Sequence, residues 1–475
     1  MEVGGEIDVL RAALAARDAD LAARDARIAV LEEEVAKLRE MIGRNSSNSN
    51  KPPSSDPPGA SAKAPKKKKK AKGRLRGGQR GHRGSHRGLL PAERMDDLKD
   101  YFPCACESCH ASLPPVLDPG AKRYQQTDLG RDGVFRTEHR RHRVKCPECG
   151  HETWAKYDAD QIPRCPFGPG LMSAVVLLTG VYHLSRRKTV CLLWELLGVR
   201  ISLGAVSRIE KQMSEAVAPA VAEAWEAARA ARVKHADGTS WLRAGLMLSL
   251  WVVATTAVTV FKVLGDGRGE TLQTKLFVKV RGILVSDRAT ALKFWGMKRR
   301  QICWAHLVRK FVSFSQRDGP AGSIGQELLD FTGVIFQHWS DFREGKFGRA
   351  QLLAFMAPVR PQFEALLERA VAKDAKGLSG SCADILEHRE ALWTFVEREG
   401  VEPTNNHAER ELRAFVLWRK RSFGAQSERG DQFAERLMSV AHTARKQGRD
   451  VLAFLTECAE AWFRKDAAPS LLTAG

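Results

Sequence analysis

Apolar residues repeat every seven positions along the start of the chain. One core position of this heptad holds Ile7, Leu14, Leu21, Ile28, Val35 and Ile42, and the other holds Leu10, Arg17, Arg24, Leu31 and Leu38. The pattern predicts a coiled coil over residues 1–43 and therefore self-association; a lone amphipathic helix packed on its own protein is the alternative. The two arginines weaken the middle of the seam and limit the choice of register or oligomer.

The heptad stops at Gly43, and residues 44–95 predict a disordered basic linker. Its first part, NSSNSNKPPSSDPPGASAKAP, is rich in proline and small residues and buries too little apolar surface to fold. The second part, Lys66–Gly88, is glycine-rich and opens with five consecutive lysines: Lys66, Lys67, Lys68, Lys69 and Lys70. Such a segment suits contact with DNA phosphates without sequence reading; a solubility tail or a localisation signal is the alternative.

Two pairs of cysteines give the strongest metal signal in the chain. Within residues 96–165 they have the spacing of two zinc knuckles, and they are Cys106, Cys109, Cys146 and Cys149. A two-residue spacer lets a tight turn aim both sulfurs at one ion, so the pattern predicts a small, β-rich module holding structural zinc. A redox dithiol is the alternative.

Other residues of this segment leave the ligand set open. Cys104 could replace Cys106, and His110 or His151 could substitute for a thiolate. Four further cysteines have no partner at ligand spacing and are predicted to be buried thiols: Cys165, Cys191, Cys382 and Cys458.

Residues 166–231 change to a helical period. The break GVRISLGAVSRIEK resembles a helix-turn-helix, in which Ser202 caps a second helix and Ser207, Arg208 and Lys211 face outward. A helix pair within an ordinary bundle is the alternative to a DNA-reading motif.

After Arg232 the apolar pattern becomes that of strands. The apolar run Leu246–Leu264 is interrupted by Ser and Thr, which favours two buried strands over a membrane span. Asp237 lies within the first predicted strand and Asp287 ends the fourth, so both carboxylates are expected at one place on a mixed sheet. Turn formation at a strand end is the alternative role for each.

The segment PTNNHAERELR places a third acid, Glu409, at the start of a predicted helix. Its local explanation is a capping box, with Asn406 as the N-cap. Two strand carboxylates and a third from a helix can also hold two magnesium ions, of which one activates the attacking oxygen and the other the leaving oxygen.

Charge narrows the choice of partner. Lys and Arg outnumber Asp and Glu by 76 to 56 among 475 residues, giving a formal net charge of +20. Clustered positive charge favours nucleic acid, with an anionic membrane surface as the second candidate. No secretory signal is read at the N-terminus, so reduced cysteines and a cytoplasmic location on the bacterial nucleoid are expected.

Three blocks of sequence resemble, in order, those around the catalytic acids of transposases of the insertion sequence 66 family. They are HADGTSW, LVSDRATALKFWGMKRRQICWAHLVRKF and the block that begins NNHAERELRAFVLWRKRSFG. The upstream stretches NSSNSNKPPSSD and GGQRGHRG and the cysteine pairs are also similar. The resemblance therefore covers nearly the whole chain.

This resemblance implies a multidomain α+β protein with a ribonuclease H-like α/β catalytic core. Matched block by block, the DDE triad is Asp237, Asp287 and Glu409, binding Mg²⁺ or Mn²⁺. The core is then expected to span residues 232–312 and 401–475, separated by a helical insertion over 313–400. Cys303 and His306 match a Cys-x-x-His element with an expected positioning role beside the active site, because two ligands are too few for zinc.

One position departs from the family pattern. Members commonly carry Glu after the first Asp, whereas this chain has Gly238. Neighbouring strand residues face opposite sides, so Gly238 leaves the role of Asp237 intact but removes any supporting role of that glutamate.

Basic residues surround the third acid and are expected to bind phosphate, with a solvated face as the alternative: Arg410, Arg413, Arg419, Lys420 and Arg421. Glu411 points away from Glu409 on the same helix and is the natural comparison.

The expected function is that of a DNA transposase that cleaves and joins strands at the ends of an insertion sequence. Its expected partners are terminal inverted repeats, target DNA, further copies of the chain and accessory proteins of the same element, with no membrane. The alternative is a catalytically inactive DNA-binding regulator derived from such an enzyme.

Overall fold

The computed structural model describes residues 17–18, 21–32, 34–35, 88–130, 132–158, 165–278, 281–317, 319–373, 377–422 and 424–472. Of the predicted coiled coil, residues 21–32 are helical, and the seam residues Leu21, Ile28 and Leu31 are exposed in the single chain. The coiled coil itself stays a prediction. The basic segment Lys66–Lys70 lies outside the described residues.

A three-stranded sheet begins the described part of the cysteine-containing region. After a short turn at Ala92–Arg94, its strands are β1 (Asp97–Tyr101), β2 (Lys122–Gly130) and β3 (Gly133–Arg141), in the order β1-β3-β2. A two-stranded ladder follows, formed by β4 (Arg143–Lys145) and β5 (Glu152–Trp154).

The helical region contains four helices: α1 (Pro169–Val176, continued by a wide turn at Leu177–Val181), α2 (Arg186–Leu197), α3 (Leu203–Ala216) and α4 (Ala218–Ala230). The Ser185 and Ser202 hydroxyls accept backbone N–H groups at the starts of α2 and α3, and Gly198 ends α2 in the left-handed conformation. Asp128 at the end of β2 accepts the N–H of Leu171 at 2.8 Å, which attaches the three-stranded sheet to α1.

The central sheet has five strands in the order β10-β9-β6-β7-β8. They are β6 (Val233–Arg243), β7 (Leu246–Ala254), β8 (Thr259–Leu264), β9 (Ile283–Ser286) and β10 (Arg300–Ile302), separated after β8 by short turns at Gly269–Thr271, Leu272–Leu276, Thr290–Leu292 and Met297–Arg299. The first three strands are antiparallel, whereas β9 and β10 run parallel to β6. The predicted pair of buried strands in 246–264 is confirmed.

The remaining helices follow the sheet: α5 (Trp304–Ser315), α6 (Pro320–Arg343), α7 (Arg349–Ala372), α8 (Ser379–Glu387), single turns at Arg389–Leu392 and Thr394–Glu397, α9 (Asn406–Ser422), α10 (Glu428–Lys446) and α11 (Val451–Arg464). On one face of the sheet, Trp241 and Phe261 form a core with Leu412 and Phe415 of α9. Helices α5 to α8 form a separate core with β9 and β10.

The predicted mixture of helices and strands is confirmed at the level of an α+β fold. Among the described residues, no helix has both the length and the apolar character needed to cross a membrane.

A stripe of polar side chains on α10 covers the free edge of β8. Thr443, Ser439 and Glu435 lie one turn apart, and they accept the N–H groups of Thr259, Phe261 and Val263 at 3.0, 3.0 and 2.6 Å. An uncovered edge would leave these donors unpaired or open to another strand. The helix therefore continues the hydrogen bonding of the sheet through its side chains.

We expect Ser439→Ala to lower the free energy of unfolding by about 1–3 kcal/mol, because the buried N–H of Phe261 loses its acceptor. The measurement is the midpoint of denaturant unfolding, with Ser422→Ala as a control at an exposed hydroxyl. Equal midpoints for both variants would contradict the role given to α10.

Candidate functional site

Four cysteines come together on two turns. Cys106 Sγ lies 3.5 Å from Cys149 Sγ, and Cys109 Sγ lies 3.5 Å from Cys146 Sγ. All four sulfurs lie within 4.8 Å of one another, so this group could hold one metal ion. Four thiolates at this spacing are the donor set of a structural zinc site.

Each knuckle is a tight turn between short paired segments. The Ala105–Ser112 bridge closes the first, and β4 with β5 closes the second, where Gly150 N donates to Cys146 O at 3.0 Å. Cys104 lies outside the four-sulfur group. In this structure the four-sulfur group therefore contains none of the alternative ligands Cys104, His110 and His151.

The sheet register brings the first two predicted acids alongside each other. β6 and β9 are parallel, with His235 opposite Val285. Asp237 lies two residues beyond His235 on β6, and Asp287 lies two residues beyond Val285, directly after β9. Because the register of paired strands is continuous, Asp237 within β6 and Asp287 just beyond β9 lie at the same level along the two strands.

Asn405 fixes the start of α9 beside these two acids. Its Nδ2 donates to the carbonyl of Ala236 at 2.8 Å, and its backbone N–H donates to Cys303 Sγ at 3.1 Å. Glu409 lies one turn further on and donates its N–H to the Asn405 carbonyl. Asn406 is thus the first helical residue, so the prediction that it is the N-cap is wrong.

The charges of Asp287 and Glu409 both act on the carboxylate of Asp237. Burial raises the pKa of Asp237 well above its usual range, and the charges of Asp287 and Glu409 raise it further. Burial and two neighbouring carboxylates therefore favour the protonated form of Asp237.

Three residues around Glu409 complete this corner of the site. His306 Nδ1 lies 3.6 Å and Arg309 Nη2 3.5 Å from Glu409 Oε1. Cys303 Sγ lies in the same group, with the three ligand atoms of Cys303, His306 and Glu409 within 4.8 Å of one another. Cys303 and His306 thus lie beside Glu409, and their positioning role beside the active site stays a prediction.

Two arginines that sequence reasoning missed hold the loop of Asp287. Arg300 is buried in β10 and donates to the Asp287 carbonyl at 2.7 Å; burial lowers its pKa to about 10. Arg288 pairs with Asp384 of α8 at 2.6 Å. The sequence carries a signal for Arg300 only, because an arginine within a strand must find buried partners.

Gly238 lies directly under an indole ring. It is paired with Trp251 on β7, and an added Cβ would come within 2.8 Å of the ring. The Trp251 ring occupies the space that a side chain at position 238 would need. A glutamate there would require Trp251 to move.

The basic residues of α9 separate into two groups. Arg410, Arg413 and Lys420 are exposed, as expected of residues that contact phosphate. Arg419 is 1 % exposed and donates to Thr239 Oγ1 at 2.9 Å and to Ser240 Oγ at 2.6 Å. The prediction that Arg419 binds DNA is therefore wrong: its guanidinium fastens α9 to β6.

The helix-turn-helix-like segment is also only partly exposed. Arg208 and Lys211 are open to solvent on α3, whereas Ser207 accepts a hydrogen bond from Arg429 of α10 at 2.9 Å. Ser207 is half-buried, and its hydroxyl is engaged by Arg429 at the protein surface.

Comparisons with known proteins add the following. Residues 164–433 match the family described as "Transposase IS66 family", and residues 3–88 match a family of unknown function, DUF6444. The chain is 29 % identical over 220 residues to "Uncharacterized protein y4qI" of Sinorhizobium fredii (strain NBRC 101917 / NGR234). That match covers 42 % of this chain and 40 % of the relative, so less than half of the relative's length is spanned.

Glu411 belongs to a separate ionic cluster. Its carboxylate contacts His442, lies 3.3 Å from Lys446 Nζ and lies 3.7 Å from His407 Nε2. Burial raises its pKa, but hydrogen bonds from His407 and His442 and the charge of Lys446 outweigh burial, and the net pKa lies well below the usual range. Glu411 is thus a structural acid and not a neutral comparison for Glu409.

We expect Glu411→Gln to lower the free energy of unfolding by about 3 kcal/mol at pH 7, because it leaves Lys446 buried without its counter-charge. A depressed folded-state pKa stabilises the protein above the unfolded-state value of about 4.3, so the difference from wild type should shrink as pH falls below about 4. Denaturant midpoints at pH 7 and below about pH 4 measure the difference in stability between variant and wild type. Glu428→Gln, at an exposed acid, is the control. A deficit that does not change with pH would exclude the charge as its cause.

Proposed function

Because this chain belongs to the IS66 family of transposases, we propose that it cleaves and joins DNA strands with Asp237, Asp287 and Glu409 as the acids of a DDE site. The observation that carries this proposal is the position of the three acids: β6 and β9 run parallel with His235 opposite Val285, and Asn405 ties the start of α9 to the carbonyl of Ala236, next to Asp237. Such a grouping is costly to stability unless it serves a cation.

The topology of the central sheet supports a ribonuclease H-like core. Three antiparallel strands, β6 to β8, are followed by two strands parallel to β6 on its other side. The first acid lies in the middle strand, the second follows its parallel neighbour, and the third comes from a helix packed on the sheet. The helices of residues 313–400 then form an insertion between the second and third acids.

The donor set fits magnesium or manganese. Asp237, Asp287 and Glu409 offer hard carboxylate oxygens, and Glu409 Oε1 is buried without a hydrogen-bond partner among the described residues. When bound, such ions activate the attacking oxygen and stabilise charge on the leaving oxygen.

The chain's own residues orient these acids. Asn405 sets the position of Glu409 relative to β6, Arg300 holds the backbone of Asp287, and His306 lies against Glu409. We assign Cys303 and His306 a positioning role: Cys303 Sγ receives the Asn405 N–H, and the His306 ring limits where the Glu409 carboxylate can lie. Arg309 partly balances the charge of Glu409.

Other parts of the chain would select and hold DNA. The four-cysteine module, with structural zinc, and the exposed residues of α3 would recognise the terminal inverted repeats. Exposed Arg410, Arg413 and Lys420 would contact phosphates beside the acids. The N-terminal coiled coil would join protomers so that two ends are handled together, with target DNA and accessory proteins of the element as further partners.

Replacing one acid at a time, by Asp237→Asn, Asp287→Asn or Glu409→Gln, should reduce magnesium-dependent cleavage of a labelled terminal-repeat duplex by at least about a hundredfold. Binding of the same duplex should persist, because these changes remove negative charge from a DNA-facing site. Glu428→Gln, an exposed acid at the start of α10, is the matched control.

Loss of binding and cleavage together in all three variants would contradict the catalytic assignment. Wild-type protein that binds the duplex but never cleaves it with magnesium or manganese would favour the alternative, an inactive DNA-binding regulator.

Arg413→Ala and Lys420→Ala should each weaken binding to terminal-repeat and unrelated DNA alike. Each should also reduce the slope of log affinity against log salt by about 1, since one phosphate contact is lost. Fluorescence anisotropy over a salt series measures both effects, with exposed Lys373→Ala on the end of α7 as the control. Salt slopes equal to that of wild type would mean that neither side chain contacts a DNA phosphate.

A further inference from the structure

The corner between β10, α5 and α9 contains a second set of metal-binding atoms. Cys303 follows β10, His306 lies in the first turn of α5, and Glu409 lies in the first turn of α9. Sequence reasoning had only the cysteine and the histidine, which are too few ligands for zinc. The fold supplies the third, with all three ligand atoms within 4.8 Å of one another.

Two of these atoms are buried and lack a hydrogen bond among the described residues. His306 Nδ1 and Glu409 Oε1 face each other at 3.6 Å, which is too long for a hydrogen bond, and neither has a hydrogen-bond partner among the described residues. His306 is only 9 % exposed. Buried polar atoms without partners are uncommon, and an ion between them would satisfy both.

The thiol is also prepared for a metal. Cys303 is fully buried, and the backbone N–H of Asn405 points at its sulfur at 3.1 Å. Such a donor stabilises a thiolate once a cation is present. A thiolate and an imidazole beside a carboxylate favour zinc over magnesium, which takes oxygen ligands almost exclusively.

We propose that Cys303, His306 and Glu409 form a zinc site with one open position, separate from the four-cysteine site. This proposal rests on the proposed function in one respect: Glu409 would be shared between zinc and the magnesium pair. Zinc on Glu409 Oε1 would remove a donor from the magnesium ligands and add positive charge beside them, so zinc should inhibit cleavage.

Arg309 competes for the same oxygen. Its Nη2 lies 3.5 Å from Glu409 Oε1, and its side chain is 31 % exposed, so it has room to turn toward solvent. Zinc must replace this cation on the carboxylate. Removing Arg309 should therefore tighten zinc binding, whereas removing a ligand should weaken it.

The test is zinc binding to the intact protein after chelation, measured by titration and by metal content. Wild type should bind one more zinc per chain than Cys303→Ser, and His306→Gln should weaken this second zinc by at least about tenfold, the lower limit seen even for outer-shell changes. Arg309→Gln should strengthen it. Cys382→Ser, at a buried thiol outside the candidate metal groups, is the matched control.

Cobalt substitution identifies the ligands without relying on activity. In a protein whose four-cysteine site is removed by Cys106→Ser and Cys109→Ser, cobalt should still give the absorption of a single thiolate ligand, and Cys303→Ser should abolish it. Equal zinc content in wild type and Cys303→Ser, or no cobalt–thiolate absorption in the protein without the four-cysteine site, would overturn the proposal.

The cleavage assay tests the shared carboxylate. At fixed magnesium, the cleavage rate of each protein is expressed relative to its own rate without zinc. The zinc concentration that halves this relative rate should be at least about tenfold higher in His306→Gln than in wild type. Equal zinc sensitivity in both proteins would overturn the sharing of Glu409. Absence of cleavage in wild type would count against the proposed function, while the zinc content would still decide the metal site.

Discussion

Repulsion among three carboxylates is the constraint around which the centre of this molecule is organised. Asp237 lies in a buried strand, and both Asp287 and Glu409 raise its pKa beyond the effect of burial. Like charges in a site of low polarity favour separation, so the elements that carry them must be held by other contacts. The hydrogen bonds of Asn405 and Arg419 to β6 provide this hold for α9.

Positive charge near the acids is distributed unevenly, and the distribution has a structural reason. Arg300 and Arg288 belong to the second acid: one holds its backbone, and the other ties the next residue to α8. Arg309 approaches Glu409 directly. Within the described part of the chain no ion pair reaches Asp237, although the charge of Arg309 lowers its pKa, and its carboxylate accepts the N–H of Gly238. The acid that is buried most deeply is thus without an ion pair among the described residues, in contrast to Glu409.

The sequence was sufficient for the parts of the site that depend on local pattern. Strand periodicity placed Asp237 and Asp287 correctly within and after their strands, and knuckle spacing identified the four cysteines. Sequence patterns did not predict the role of a charged residue where its burial decides that role. Arg419 and Arg413 look alike in the sequence, but the helix turns one of them onto β6 and the other into solvent. Glu411 likewise gave no local sign of the histidines and lysine that surround it, because His442 and Lys446 come from the next helix.

Both edges of the central sheet are closed by helical segments, and this links the inserted helices to the second acid. At one edge, α10 covers β8 with side chains. At the other, the turns before α9 cover β10: Thr394 Oγ1 donates to the Arg300 carbonyl at 2.6 Å, and the Phe395 N–H donates to Gln301 Oε1 at 2.8 Å. Arg300 in turn donates to the Asp287 carbonyl. A displacement of the inserted helices would thus reach Asp287 through two hydrogen-bonded residues, because β10 is the edge strand of the sheet that the described residues form.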